Sequence, residues 1–213
     1  MEISGKQFVE QLDSLGYFHI TDIGKLTLLK KAIANTYNQH HIITTLYPES
    51  ESDITLEQPS CYRLYSCDNE SLFEADGISD MLSTIRPTFD KLGVPLQWSN
   101  DEWNQLDDTL EKHTILINGR KYTAFKGSIN DPFAWAMATS NFVEIINDQL
   151  QKAGSEERLF PINAGNDGEI IFLTDAMYKM LNKNCSKESS PMDLSIWWKW
   201  GTDGERSYVR NVH

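Results

Sequence analysis

The stretch HTILINGRKYTAF (113–125) constrains this chain more than any other. Two alternating runs flank Asn118-Gly119, and that dipeptide accepts the two positive φ values a type I′ turn requires. It predicts a β-hairpin and commits the chain to at least one antiparallel strand pair.

Helical patterns surround it. Ser4 and Gln7 fit a capping box, Phe8, Leu12 and Leu15 follow at helical spacing, and Gly16 supplies a stop. Thr21 or Asp22 is placed to cap a second helix with the stripe Leu26, Leu29, Ile33 and Tyr37. A third runs from Asp76 to Leu92 on Ile78, Leu82, Ile85, Phe89 and Leu92. Pro87 sits inside it and is expected to kink or split it. Asp131 and Pro132 open the longest helix, to about residue 152, with Trp135, Ala138, Phe142, Ile145 and Ile146 as its core face. CYRLYSC (61–67) and VPLQW (94–98) read as short strands, and YPESESDITLEQPS (47–60) as a mobile loop.

Residues 158–181 read as strand, turn, strand, helix. RLFPI and EIIFL are joined by Asn163–Gly168, and Thr174 and Asp175 are placed to cap a last helix through Leu181. KNCSKESSPMD reads as a polar linker, and the tail as one more hairpin around Thr202–Gly204. Helices and paired strands follow no strict βαβ order. The expected class is α+β, a mainly antiparallel sheet built from hairpins and packed against several helices. The expected organisation is one domain over 1–213, leaving room for a small C-terminal appendage at 184–213.

Charge narrows the function classes. Lys and Arg number 19 against 31 Asp and Glu, a formal net charge of −12. No basic stripe exists, so nucleic acid is excluded as a partner, and an anionic membrane surface is disfavoured by the same field. The first residues, MEISGKQFVEQLDSLGYF, lack a basic start and a long apolar core, so no secretory signal is read there. No run approaches the ~18 apolar residues that span a bilayer. Three cysteines, Cys61, Cys67 and Cys185, are odd in number and form no C-x-x-C. Together these point to a reduced, cytoplasmic protein with buried thiols.

Motifs for chemistry are absent. The adjacent His40-His41 point about 100° apart on a helix, no His/Cys set has zinc spacing, and no nucleophile motif occurs. No metal and no cofactor is expected, and the reading leans away from an enzyme. The acid pairs Asp107-Asp108 and Glu156-Glu157 read as solvated. The loop NAGNDG has a conformational reason for each residue, with Gly165 and Gly168 supplying unusual φ while Asn166 and Asp167 bond their own backbone. It is also a place where Asn163, Asn166 and Asp167 could meet a ligand.

Six tryptophans remain. SIWWKW alternates as a strand would, with Trp198 and Trp200 on one face and Trp197 on the other, a surface suited to a subunit interface. WSNDEW pairs Trp98 and Trp103 with Asp101 and Glu102, acids rimming aromatics, which suits a basic protein partner. The leading expectation is a non-enzymatic acidic protein-binding module, regulatory or toxin-neutralising in the manner of immunity proteins. The alternative is a small-ligand binder or unrecognised enzyme with its site where the 163–168 loop meets an aromatic wall, Trp98 or Trp103.

Overall fold

The run EIIFL explains the architecture. Ile170 and Phe172 enter one core while Ile171 and Leu173 enter another. A strand apolar on both faces needs cover on both, and helices supply it. The computed structural model describes residues 3–43, 61–163 and 168–199. Along them run α1 (Gly5–Ser14), α2 (Leu26–His40), β1 (Leu64–Ser66), α3 (Asn69–Phe73), α4 (Gly77–Leu92), β2 (Trp98–Gln105) and β3 (Leu110–Ile117). Then follow β4 (Arg120–Ser128), α5 (Ala134–Lys152), β5 (Arg158–Ile162), β6 (Glu169–Leu173) and α6 (Asp175–Asn184). Residues 194–199 are helical and are labelled α7. The class is α+β, with two three-stranded antiparallel sheets ordered β1-β6-β5 and β2-β3-β4.

The first sheet is sandwiched. α1, α2 and α6 pack on one face through Phe8, Leu12, Ile33, Tyr37 and Leu181. On the other, α4 and α5 place Leu82, Ile85, Phe89, Phe142 and Ile146 between this sheet and the inner residues Ile115, Ile117 and Ala124 of the second. α5 touches both sheets, through β4 and β5.

Local signals set many boundaries. Ser4 and Gln7 cap α1 reciprocally, and the Thr174 hydroxyl accepts from the Met177 N–H at the start of α6. Asn118 (φ 48°) and Gly119 (φ 79°) make the tight turn between β3 and β4. The Asn118 side chain adds tertiary bonds, donating to the Pro95 carbonyl and to Gln149 Oε1, each at 2.8 Å.

Elsewhere the structure corrects the sequence expectations. α4 runs unbroken through Pro87. A mid-helix proline costs ~3 kcal/mol, but Ile78, Leu82, Ile85 and Phe89 are fully buried along the same helix, at roughly 1.5–3 kcal/mol each. Asp22 does not cap α2; its carboxylate takes the Tyr62 hydroxyl and Lys91 Nζ, at 2.6 and 2.8 Å. α5 starts at Ala134 because Asp131 first closes a turn, accepting the Phe133 N–H on its side chain and the Ala134 N–H on its carbonyl. Trp135 is only half-buried. Residues 94–97 precede β2 rather than forming it, Cys61–Arg63 lie outside β1, and α3 was not anticipated.

The described part of SIWWKW, residues 195–199, is not a strand. It is helical, and Asp193 accepts from the Ser195 N–H and hydroxyl at the start of that helix. Trp197 is buried against Ala136 and Met192, so its ring is not on offer to a second subunit. The read linker carries a short 3-10 turn, Lys187–Ser189, and Met192 N–H donates to the Pro161 carbonyl of β5 at 2.8 Å. The loop read at 47–60, Trp200 and the hairpin read around Thr202–Gly204 lie outside the described residues. Glu157 is not solvated: with Arg63 it forms a buried ion pair at 2.8 Å. Arg63 also donates to the carbonyls of Tyr17 and Phe172, at 2.5 and 3.0 Å, which ties the α1–α2 connection to the first sheet. The cysteines are free thiols, Cys61 and Cys67 buried and Cys185 half-buried.

Candidate functional site

The segment WSNDEWNQ, rich in turn-forming residues, is a strand because β3 supplies a partner at each regular position. Glu102 stands opposite Thr114, Trp103 opposite His113 and Asn104 opposite Lys112. A bulge between Ser99 and Glu102, with Asn100 at φ 53°, re-aims the side chains. Trp98, Asp101 and Trp103 are partly buried, while Ser99, Asn100, Glu102, Asn104 and Gln105 are exposed.

Behind the strand lies a polar and aromatic cluster. The Asp101 carboxylate faces Nε2 of His113, a residue 1 % exposed. It also accepts the N–H and the hydroxyl of Ser79, at 3.1 and 2.5 Å. Ser79 is in the first turn of α4, where Asp76 (φ 63°) makes no side-chain cap bond. Asp101 therefore caps α4 from another element, where a negative charge meets the positive end of the helix. Burial pushes the Asp101 carboxyl up, but the bonds from His113 and Ser79 outweigh it and hold the group below its ordinary value. Trp103 stacks on the His113 ring at 4.5 Å and meets Phe73 edge-on at 5.2 Å. Trp98 carries the Arg86 guanidinium over its ring at 4.4 Å.

This cluster is built for support, not for nucleophilic chemistry. The carboxylate stands between Ser79 and His113, so the hydroxyl is bonded to the acid and the imidazole is not its base. A serine nucleophile needs the imidazole in the middle. No spacing in the sequence joined His113 to Asp101; recognising β2 and its register would have.

The solvent side of the same strand has a different character. Glu102, Asp107 and Asp108 are exposed there and Glu111 is half-buried, with Lys112 opposite Asn104 across the ladder, while Asp101 faces inward. Asp107 closes the β2–β3 turn, and the Thr109 and Leu110 N–H groups it accepts hold its carboxyl below the usual range, so it stays charged. Leu106, Leu110 and Ile129 are exposed at this end of the sheet, where Leu106 bonds Leu110 and Leu110 pairs with Ser128, next to Ile129. A cleft of about 370 Å³ lies between α3, α4 and Ser66; Asp68, Glu74 and Asp80 line it, over Leu72 and Met81.

The strands that flank residues 163–168, β5 and β6, belong to the first sheet, whereas Trp98 and Trp103 stand on β2 of the second. Asn163 has φ 60°, and its carbonyl accepts the Trp197 indole N–H. The aromatic residue bonded there is thus Trp197. Asn166 and Asp167 lie outside the described residues. At the start of β6, burial pushes the Glu169 carboxyl up to about 7. Among the described residues no group of three or more His, Cys, Asp or Glu is arranged to hold a metal ion, and no helix is long and apolar enough to cross a membrane.

Compared with known proteins, the chain matches no family model, no curated protein and no solved structure.

Proposed function

We propose that this chain is a protein-binding module that receives a basic protein partner on the acidic outer side of β2 and the β2–β3 turn. Its role would be regulatory or neutralising, of the kind immunity proteins perform, in the cytoplasm. The observation that carries the reading is the exposed carboxylates of Glu102, Asp107 and Asp108 on and just beyond a strand that pairs only with β3 among the described residues. A like-signed surface steers an oppositely charged partner and raises its association rate. The exposed Leu106, Leu110 and Ile129 beside it supply apolar area that a partner can cover. Trp98 and Trp103 brace the strand from behind. The test is capture from lysate with the chain as bait, at about 50 mM and about 500 mM salt, where the screening length shrinks severalfold. A basic protein held at low salt and lost at high salt supports the reading. Capture insensitive to salt, or none, opposes it.

A second reading has one observation in its favour. Glu169, with a carboxyl poised near neutrality, follows in sequence the stretch that holds Asn163, Asn166 and Asp167, and titratable groups displaced in this way gather at ligand sites. Thermal-shift screening of the chain and of Glu169→Gln against small metabolites tests it; a ligand that stabilises the first and not the second favours this site.

A further inference from the structure

We infer that the partner binds as an extended segment bearing alternate Lys or Arg residues, which adds to the second sheet as a fourth strand beside β2. The inference rests on the acidic-surface reading above and adds the mode of recognition. The two edges of the sheet differ. Along β4 runs α5, whose Asn141 side chain donates to the Ala124 carbonyl and whose Asp148 takes the Tyr122 hydroxyl and Arg120. β2 has no second strand partner among the described residues, and α4 meets it where Arg86 lies over Trp98 and Ser79 bonds Asp101. An edge strand leaves alternate backbone N–H and C=O groups unpaired, a template on which a second chain can form a ladder.

Charge selects the occupant. The exposed charges of β2 and of the turn beyond it are Glu102, Asp107 and Asp108, so a second copy placed β2 against β2 would bring acid near acid, and like charges across a ladder are destabilising. The chain's own basic strand, with Arg120, Lys121 and Lys126, is β4, which α5 already engages. A heterologous basic strand meets neither obstacle. The bulge at Ser99–Glu102 interrupts the regular edge, which leaves Glu102–Gln105 and the turn beyond it as the run for pairing. Lys or Arg at alternate positions of the incoming strand would meet Glu102 across the ladder, with Asp107 and Asp108 beyond the strand end.

The experiment titrates the full chain with a short peptide of alternating Lys and Val, and with the same peptide N-methylated at every second backbone nitrogen. N-methylation keeps the charge and removes the ladder donors. The expected result is binding at least about tenfold tighter for the unmethylated peptide, a gap of 1.4 kcal/mol, with amide exchange slowed at residues 102–105. Glu102→Lys, a change at an exposed side chain that leaves the backbone edge intact, is expected to weaken that binding about tenfold. Equal, salt-sensitive binding of both peptides overturns strand addition and leaves the acidic surface standing. No binding of either at low salt overturns both. Protection elsewhere than 102–105, or a self-associated chain that Glu102→Lys dissolves, overturns β2 as the docking edge for a basic strand.

Discussion

Asp101 on β2 and His113 on β3 share a buried hydrogen bond, and the same carboxylate caps the first turn of α4 through Ser79. One side chain thus ties the second sheet to the helix between the two sheets. Asp101→Ala leaves a buried imidazole and a helix end unpartnered, which costs about 2–4 kcal/mol. Chemical denaturation checks it. Because the folded carboxyl lies below its ordinary value of 3.8, its contribution is present above that pH and lost as pH falls through the folded value. The gap between wild type and variant is therefore expected to close in acid.

Arg63 and Glu157 are both buried, so each depends on the other. Glu157→Ala strands the guanidinium and is expected to cost about 3–5 kcal/mol. A melting temperature within a degree or two of wild type would contradict the pairing.

These two relationships also show where sequence reading stops. Glu156 and Glu157 look alike in the chain; Arg63, 94 residues away, decides which of them is buried. β2 escaped because its bulge breaks the period-two pattern: Trp98, Asp101 and Trp103 share the inner side at unequal spacing. Asn, Asp and Ser fill the same stretch and suggest turns. The helix 194–199 escaped for the opposite reason, since alternating Trp imitates a strand, although Asp193 carried a legible cap signal. The Asn118-Gly119 hairpin and the capped ends of α1 and α6 were legible because each signal is local. Of the candidate residues, Asp101 and Trp103 do gather with His113, whereas Asn163 stands on the other sheet beside Trp197.

Glu169 predicts a pH effect of opposite sign. Its carboxyl sits at about 7 when folded against 4.5 ordinarily, so between those values the unfolded chain has lost the proton that the folded chain keeps. Stability should fall as pH rises across that window, by on the order of 3 kcal/mol, and level off above it. Glu169→Gln should abolish this component. Identical pH profiles for the two proteins would contradict it.

The turn at Gly119 has φ 79°, a conformation that costs a side chain roughly 1–2 kcal/mol. Nothing crowds the position where a Cβ would sit, so Gly119→Ala should destabilise by about that amount without steric damage. Asn118→Ala should cost more than turn strain predicts, because it also removes the bonds to Pro95 and Gln149. Equilibrium unfolding of both variants separates the two effects.

The acidic stretch of β2 and its turn is the surface proposed to meet the partner. It is tested most directly by capture at low salt with two baits, the wild-type chain and Glu102→Lys/Asp107→Lys/Asp108→Lys, after circular dichroism shows that both are folded. A basic protein is expected on the first bait and not on the second. The same proteins on both baits, or none on either, would contradict it.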